Sequence, residues 1–480
     1  MNSSLISNML NFEPFSISAL KKAMPYIKKN ISLNSDISAG ALFMWQEGDN
    51  PHFCFWNDTL VLRNKIGEQP AFTWPMGADV SGMVDMLIRY TQAHHLPLRF
   101  YEIDDKTLDI IKADDRFKSV MYAYEERWSD YIYSFSEMMT FKGNKYKGQR
   151  NHINKFKRMY GEPNIRPINS NDIDGIKNML IKYKSEHGDA NNLERTELIR
   201  AQRLLDIYND LDLYAACMIV DNEIAAFSIG EVIGDILFIH IEKALKKFDG
   251  AYPTMYRGFV NLISEQLGRI PEFVNREDDS GDEGLRISKL QYHPVGRVHK
   301  HLVHINSPAS KLKEIPVINS GNVVLTEFRE SDKATYLSLN TNIENNRFWG
   351  YDYREDDYIT GSIDENTFYD SAMLDIKAGD SINFAVRTKC DGYMIGEAIL
   401  WNFTADGFTE VGCRLLPQHQ GKGLGKSAFK ALSDFAEKTL KLKVWARCCI
   451  KNTVSYRMII SSGYIKSDED KEFYYFKRKN

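Results

Sequence analysis

Three times along the chain, a short apolar run passes through a polar residue into an amphipathic helical pattern. The clearest copies are 164-NIRPINSNDIDGIKNML-180, with Asp172 at the junction, and 323-VVLTEFRESDKATYLSL-339, with Asp332 in the matching place. A looser copy opens the chain at 10-LNFEPFSISALKKAMPYI-27, where Ser16 or Ser18 stands ahead of the helix. A side-chain oxygen at such a junction can accept a hydrogen bond from the first free N–H groups of a helix, so each copy reads as a strand followed by a capped helix. The starts lie much further apart than the period of a solenoid, and they predict three lobes of similar plan. A chain of 480 residues also exceeds what one hydrophobic core can organise.

The first lobe, 1–150, is expected to hold strands at 41–48, 52–62, 71–77, 97–103 and near 119–128, with a helix over 79–95. The second, 151–305, is expected to hold helices at 172–187, 193–208 and 253–267, and strands at 212–220, 223–233, 236–245 and 271–277. Residues 306–322, with Pro308, Pro316 and Gly321, read as a linker. The third lobe, 323–480, carries strand patterns at 382–388, 392–402, 408–416 and 442–449, and helices at 425–438 and 453–462. This order predicts a mixed α/β fold, each lobe a twisted mixed sheet flanked by helices.

The charged fraction of 26% and hydrophobic fraction of 43% suit a soluble globular protein. A net charge of −4 excludes a whole-protein field directed at nucleic acid, so any basic surface is local. No apolar run approaches the roughly 18–20 residues that span a bilayer. The N-terminal MNSSLISNMLNF lacks a basic region and an unbroken apolar segment, so no signal peptide is expected. Six cysteines without CxxC spacing argue against a zinc site or a disulfide framework, and point to a reduced, cytoplasmic protein. His293, His299, His301 and His304 have no carboxylate or cysteine beside them to complete a ligand set, so no metal is expected.

In 414-RLLPQHQGKGLGKSAFKAL-432 an apolar strand pattern ends at Pro417, three glycines alternate, and a helix pattern follows. Glycines let a backbone turn tightly and approach a ligand, and the exposed N–H groups at a helix start cradle an anion. The spacing is not GxxxxGK[ST], so this is no Walker loop. Gln420-x-x-Gly423-x-Gly425 resembles the pyrophosphate signature of the GCN5-related N-acetyltransferases (GNAT), and the resemblance extends over about 323–478. It includes Glu410 in the strand TEVGCRLLP, and Asn452-x-x-Ser455 before a helix that ends at Gly463-Tyr464.

The resemblance implies acetyl-CoA as co-substrate. Backbone groups near Leu415 and Leu416 would hold its thioester. Gln420, Gly421, Lys422, Gly423, Leu424, Gly425 and Lys426 would hold its diphosphate, and Asn452 would contact the pantetheine arm. Acyl transfer to an amine needs a base and an acid near the leaving thiolate. Glu410 is the first candidate base and Glu397 the second; Ser455 and Tyr456 are the available hydroxyls, because Ile459 stands where many GNAT proteins carry tyrosine. The loop 345-NNRFWGYDYREDDY-358 lies where such a fold shapes its acceptor cleft, and Asp352, Glu355, Asp356 and Asp357 would favour a cationic acceptor.

The stretch 141-FKGNKYKGQRNHINKFKRMY-160 carries seven Lys or Arg with no acid, interleaved with Phe141, Tyr146, Phe156 and Tyr160. Such a segment suits phosphates and stacking on bases or headgroups, or a solvated helix face. Together with AAFSIG at 225–230, the charged strand end His240, Glu242, Lys243, and NREDDSGDEGLR from Asn275 to Arg286, it resembles the C-terminal region of phosphatidylglycerol lysyltransferase over about 1–304.

That family's fold is a pair of GNAT-like lobes, so three GNAT-like lobes are expected in all. It implies aminoacyl transfer from aminoacyl-tRNA, with tRNA or an anionic headgroup meeting 141–160. His240, Glu242, Asn275, Arg276, Glu277 and Arg286 are expected to line a second-lobe pocket. Where a GNAT carries its glycine loop, this lobe has Lys247-Phe248-Asp249-Gly250-Ala251-Tyr252, so its donor is not expected to be coenzyme A. The leading expectation is an acetyl-CoA-dependent N-acetyltransferase of a small-molecule, peptide or protein amine, fused to a lysyltransferase-like module. The alternatives are an aminoacyl-tRNA-dependent transferase, or a non-catalytic module that binds tRNA or anionic surfaces beside a CoA-sensing domain.

Overall fold

The computed structural model describes residues 10–30, 32–187, 192–349, 352–355 and 363–479. They form three mixed sheets flanked by helices. The first sheet runs in the order Glu13–Pro14, His52–Trp56, Thr59–Ile66, Gln69–Phe72, Leu98–Ile103, His301–Ile305, Val120–Ala123. The second runs Gly296–Val298, Asp130–Ser134, Phe273–Asn275, Ile236–Ala244, Glu223–Ile233, Tyr214–Val220, Asn164–Pro167. The third runs Ile318–Ser320, Val323–Thr326, Ile382–Thr388, Met394–Trp401, Phe408–Leu415, Lys443–Cys449, Phe473–Arg478, Tyr464–Glu469.

Each sheet is antiparallel except for one parallel pair: Gln69–Phe72 with Leu98–Ile103, Ile236–Ala244 with Phe273–Asn275, and Phe408–Leu415 with Lys443–Cys449. A parallel pair needs a crossover, and helices Val80–Ala93, Ala251–Leu267 and Leu424–Lys438 supply the three. The repeated plan expected from the sequence is therefore present in the connectivity.

Sheet membership does not follow the expected boundary at 150. Strand Asp130–Ser134 pairs within the second sheet, while His301–Ile305 returns to lie between Leu98–Ile103 and Val120–Ala123 in the first. One continuous core spans both lobes, from Leu20 and Phe53 to Phe227 and Phe259. The run 41–48, expected as a strand, belongs to helix Ala39–Asp49, whose cap Ser38 accepts from the Ala41 N–H at 3.3 Å. Residues 39–44 are all buried, and a run buried on every side has no period that separates strand from helix.

The junction aspartates also differ from expectation. Asp172 and Asp332 reach back to the N–H groups of Asn169 and Arg329, at 2.8 and 2.7 Å, rather than forward to their helices. Each also takes a two-pronged guanidinium, from Arg166 and Arg387. Ser16 behaves as expected and accepts from the Ala19 N–H.

Cores cover both faces of the third sheet. In Ile382–Thr388, Phe384 and Val386 face helix Leu424–Lys438, while Ala385 faces helices Lys333–Thr341 and Thr367–Ala378. The linker contributes the edge strand Ile318–Ser320. The third lobe docks on the first: Arg99 and His304 both meet Asp380, Ser307 donates to Gly379 O, His95 meets Asp406, and Met121 packs against the third core.

Candidate functional site

The third lobe's parallel pair, Phe408–Leu415 with Lys443–Cys449, opens into a fork. Its strands pair only over 408–410 and 443–445, then separate. The Leu416 N–H donates to Ile395 O at 2.9 Å, so Leu416/Ile395 and Arg414/Glu397 are the hydrogen-bonded pairs of that antiparallel ladder. By alternation, Leu415 turns its N–H and C=O to the opposite edge, into the fork. The expectation is thus corrected for Leu416, whose amide is taken, and kept as a candidate for Leu415.

Helix Leu424–Lys438 starts at the open side of this fork, with Gly423 as its left-handed N-cap. Gly421 and Gly423 have φ of +73° and +76°, and a Cβ built on either meets nothing within 4 Å. These two positions require glycine for conformation, and the space before them is open to a ligand. Gln420 Nε2 donates to Leu415 O at 2.9 Å and ties the loop to the strand end. Lys422 Nζ donates to Gln418 O, and Lys422 and Lys426 are exposed. Gly425 faces Leu415 and Met458 at ordinary contact distance. A cradle of free helix N–H groups beside the point where the two strands part fits a pantetheine diphosphate.

Asn452 caps helix Thr453–Ser461, its Oδ1 accepting from the Ser455 N–H at 3.0 Å. Ser455 and Tyr456 are half-buried, and the Tyr456 ring lies against Tyr474 and Phe476.

Glu410 sits at the crotch of the fork. Val411 and Leu415 belong to the core beneath helix Leu424–Lys438, so Glu410, Gly412 and Arg414 face the other side of the sheet. Glu410 is 2% exposed; its Oε2 accepts from Asn402 Nδ2 at 2.7 Å and its Oε1 lies 3.1 Å from Arg447 Nε. Burial pushes its carboxyl up to about 7, against the opposing pull of Arg447 and Asn402. Glu397 lies on the same face but is saturated: Tyr336 and Asn383 donate to Oε1, and Arg414 holds Oε2. Trp401 and Trp349 close over Gly412, where a Cβ would come within 2.3 Å of the Trp401 ring. Asp352 is paired with Arg354; Asp356, Asp357 and the Glu355 side chain lie outside the described residues.

The second lobe has a different arrangement. Gly250 caps helix Ala251–Leu267, but a Cβ there would lie 2.3 Å from His152 O, because helix Lys147–Tyr160 covers the turn. No open cradle is left at that turn. His240 is enclosed, its Nδ1 2.8 Å from Glu277 and its Nε2 3.0 Å from Glu231. Burial opposes its charge, yet the two carboxylates hold it as imidazolium, with a pKa up to about 10. Asn275 donates to Asp130 and Leu33 O, and its Oδ1 accepts from the Glu277 N–H. Arg276 meets Glu242 at 3.1 Å beneath Tyr256 and Tyr292. Glu242 Oε2, Arg276 Nη1 and the Tyr256 hydroxyl are buried with no hydrogen bond among the described residues. Arg286 stands apart, held two-pronged by Asp279.

Two further expectations change. Phe141, Tyr146 and Phe156 are fully buried, and Tyr160 is half-buried against Phe156 and Phe248 with its hydroxyl on Lys247 O, so three of the four rings of 141–160 are withdrawn from its basic face. A carboxylate does join the histidines: Asp105, at the start of helix Asp105–Lys112, lies 3.0 Å from His299 Nδ1 and 2.7 Å from His301 Nε2. Sequence reasoning missed it because nearly two hundred residues intervene.

Sequence reasoning also missed Asn402 and Arg447, and Glu68 of the first lobe. Glu68 tips the hairpin of Thr59–Ile66 and Gln69–Phe72 and bonds both Arg447 and Asn402. Arg447 alternates with Trp445 and Lys443 along its strand, a pattern that does not single it out.

Residues 32–304 match the family model for the phosphatidylglycerol lysyltransferase C-terminal region, and residues 322–465 match the acetyltransferase (GNAT) domain. A conserved protein of unknown function from Bacteroides thetaiotaomicron is 27% identical, covering 62% of this chain and all of its own, with a TM-score of 0.57. The uncharacterized N-acetyltransferase YnaD of Bacillus subtilis is 25% identical over 118 residues, 24% of this chain and 69% of that protein. An uncharacterized protein of Mycoplasmoides gallisepticum, MYCGA3080, is 20% identical over 181 residues, 38% of this chain and 57% of that protein. Among the described residues no helix is long and apolar enough to cross a membrane. With over half its length matched, and with a doubled GNAT-like module joined to a third lobe of the same plan, the chain belongs to the phosphatidylglycerol lysyltransferase C-terminal family and carries a GNAT acetyltransferase domain.

Proposed function

We propose that the third lobe transfers an acetyl group from acetyl-CoA to the nitrogen of an amine borne by a small molecule, peptide or protein. The observation that carries this reading is Glu410, a buried carboxylate at the crotch of the fork with a pKa near neutrality. Acetyl-CoA supplies an acyl group activated as a thioester. The N–H groups of Gly421 to Gly425 bind its diphosphate, helped by the positive end of helix Leu424–Lys438. Leu415 presents its N–H to the fork, its C=O being held by Gln420, and an extended arm accepts from that N–H as a neighbouring strand does. Asn452 orients the arm from the facing helix start.

A protonated amine is no nucleophile, so Glu410 takes the proton from the ammonium nitrogen. A base with a pKa of about 7 is matched to that task near neutral pH. Glu397 is not, since all its acceptor capacity serves Tyr336, Asn383 and Arg414. Ser455 and Tyr456 are the hydroxyls we assign to protonate the departing sulfur. Calorimetric titration of acetyl-CoA into the full chain should give one equivalent. No binding would overturn the reading, and two equivalents would mean that the Gly250 turn opens.

A second reading is favoured by the unpartnered Glu242, Arg276 and Tyr256 atoms. Buried polar atoms without partners are costly, and a polar ligand would satisfy them. In this reading the second lobe receives an aminoacyl group, with tRNA or an anionic headgroup lying along the basic face of 141–160. Loss of charged-tRNA binding in Arg276→Met, with acetyl-CoA binding unchanged, would support it.

A further inference from the structure

The candidate base does not stand in the third lobe alone. The first lobe's hairpin turns through Gly67, at φ +62°, and Glu68, with Ile66 opposite Gln69. Its tip reaches the acceptor face of the third sheet. Arg447 Nη2 contacts both Glu68 oxygens, while Arg447 Nε meets Glu410. Asn402 Nδ2 is likewise shared, donating to Glu68 Oε2 at 3.0 Å and Glu410 Oε2 at 2.7 Å. Gln69 Nε2 donates to Asn402 Oδ1 at 3.2 Å and fixes the amide's orientation.

Two carboxylates thus compete for one guanidinium and one amide. Glu410 is buried, Arg447 about one quarter exposed and Glu68 about half exposed. The exposed competitor holds Arg447 by its Nη2, and the buried one receives only the Nε edge. A carboxylate given the whole guanidinium would be a poor base. Other groups that face Glu410 and Arg447 are Tyr475 on strand Phe473–Arg478, Asp470 in the turn before it, and Lys65 behind Glu68. None of these bonds Glu410. The hairpin's seat does not depend on Glu68, since Arg99, His304, Ser307, His95 and Met121 dock the lobes elsewhere.

We propose that Glu68 is a positioning residue of the third lobe's site: it draws Arg447 off Glu410 and so keeps the base available, making the acyl-transfer chemistry of one lobe depend on another. The functional part of this inference rests on the reading given above. Its electrostatic part is tested apart from any acceptor, by infrared difference titration of the carboxyl band that Glu410→Gln abolishes. In the full chain that band should titrate near pH 7. In Glu68→Gln its midpoint should fall by about 1 unit, because a negative neighbour is removed and Arg447 is released to Glu410.

Glu68→Asp should restore the original midpoint. Asp406→Asn, which breaks the His95 contact at the same lobe interface, should leave it unmoved. A Glu68→Gln midpoint that stays in place or rises would overturn the proposal. So would an equal shift in Asp406→Asn, which would make the effect one of docking. Acetyl-CoA calorimetry on the same variants keeps the two ideas apart: absent binding sinks the functional reading while the Glu410 midpoint still decides the role of Glu68.

Discussion

Gly423→Glu separates ligand binding from stability at one position. The Gly423 backbone is left-handed, and a Cβ there meets no atom, so the side chain costs conformation but no clash. The conformational cost is about 1 kcal/mol. A carboxylate at a helix N-terminus returns roughly 0.3–1 kcal/mol through the dipole. The unliganded protein should therefore unfold within about 1 kcal/mol of the parent. The nearer phosphate of a diphosphate on the same N–H groups, with one negative charge, would lie roughly 5 Å from the new carboxylate, and an effective dielectric of about 20–40 gives a repulsion of about 2–3 kcal/mol from that phosphate alone. Acetyl-CoA affinity should then fall roughly 30–150-fold. Calorimetry and thermal melts without ligand read the two effects independently. Unchanged affinity would refute the placement of the diphosphate, and a stability loss of several kcal/mol would refute the open loop.

Three other outcomes follow from buried groups. Glu410 has a folded pKa above its unfolded value, so its contribution to stability is fully present below about pH 4.5 and is lost as pH rises through about 7. Between urea melts at pH 5 and pH 8, the parent should lose up to about 3 kcal/mol relative to Glu410→Gln. Arg387→Met strands a fully buried Asp332 and should cost about 3–5 kcal/mol, whereas Arg166→Met, at the more exposed copy of the same device, should cost about 1 kcal/mol. Gly250→Ala pushes a methyl into His152 O and should cost about 3 kcal/mol or more, against about 1 kcal/mol for Gly421→Ala in open space; denaturation midpoints compare the two.

Local chemistry was legible in the sequence. The strand-to-helix starts, the glycine loop and the position of Glu410 all depend on residues within a few places of one another. The parallel pairs were not visible, because periodicity reports a strand's faces and not its neighbours. Helix Ala39–Asp49 read as a strand because burial on every side erased its period. Glu397 and Glu410 looked alike as acids in neighbouring strands; only the fold gives one of them Arg414, Tyr336 and Asn383 and the other a shared Arg447. Glu68, Asp105 and the strand exchange are long-range, and no local signal marks them.

That exchange has a consequence for synthesis on the ribosome. Strand His301–Ile305 sits between Leu98–Ile103 and Val120–Ala123, so these two cannot join into one sheet until residue 305 has emerged. At about 5–20 residues per second, the first lobe waits on the order of 10–40 seconds with two raw strand edges. Such edges invite pairing with other chains. A nascent chain stalled near residue 150 would be an aggregation-prone fragment rather than a folded domain. The module becomes a protected unit only when its last strand threads home, and the acetyltransferase lobe, synthesised next, docks on a surface finished moments before.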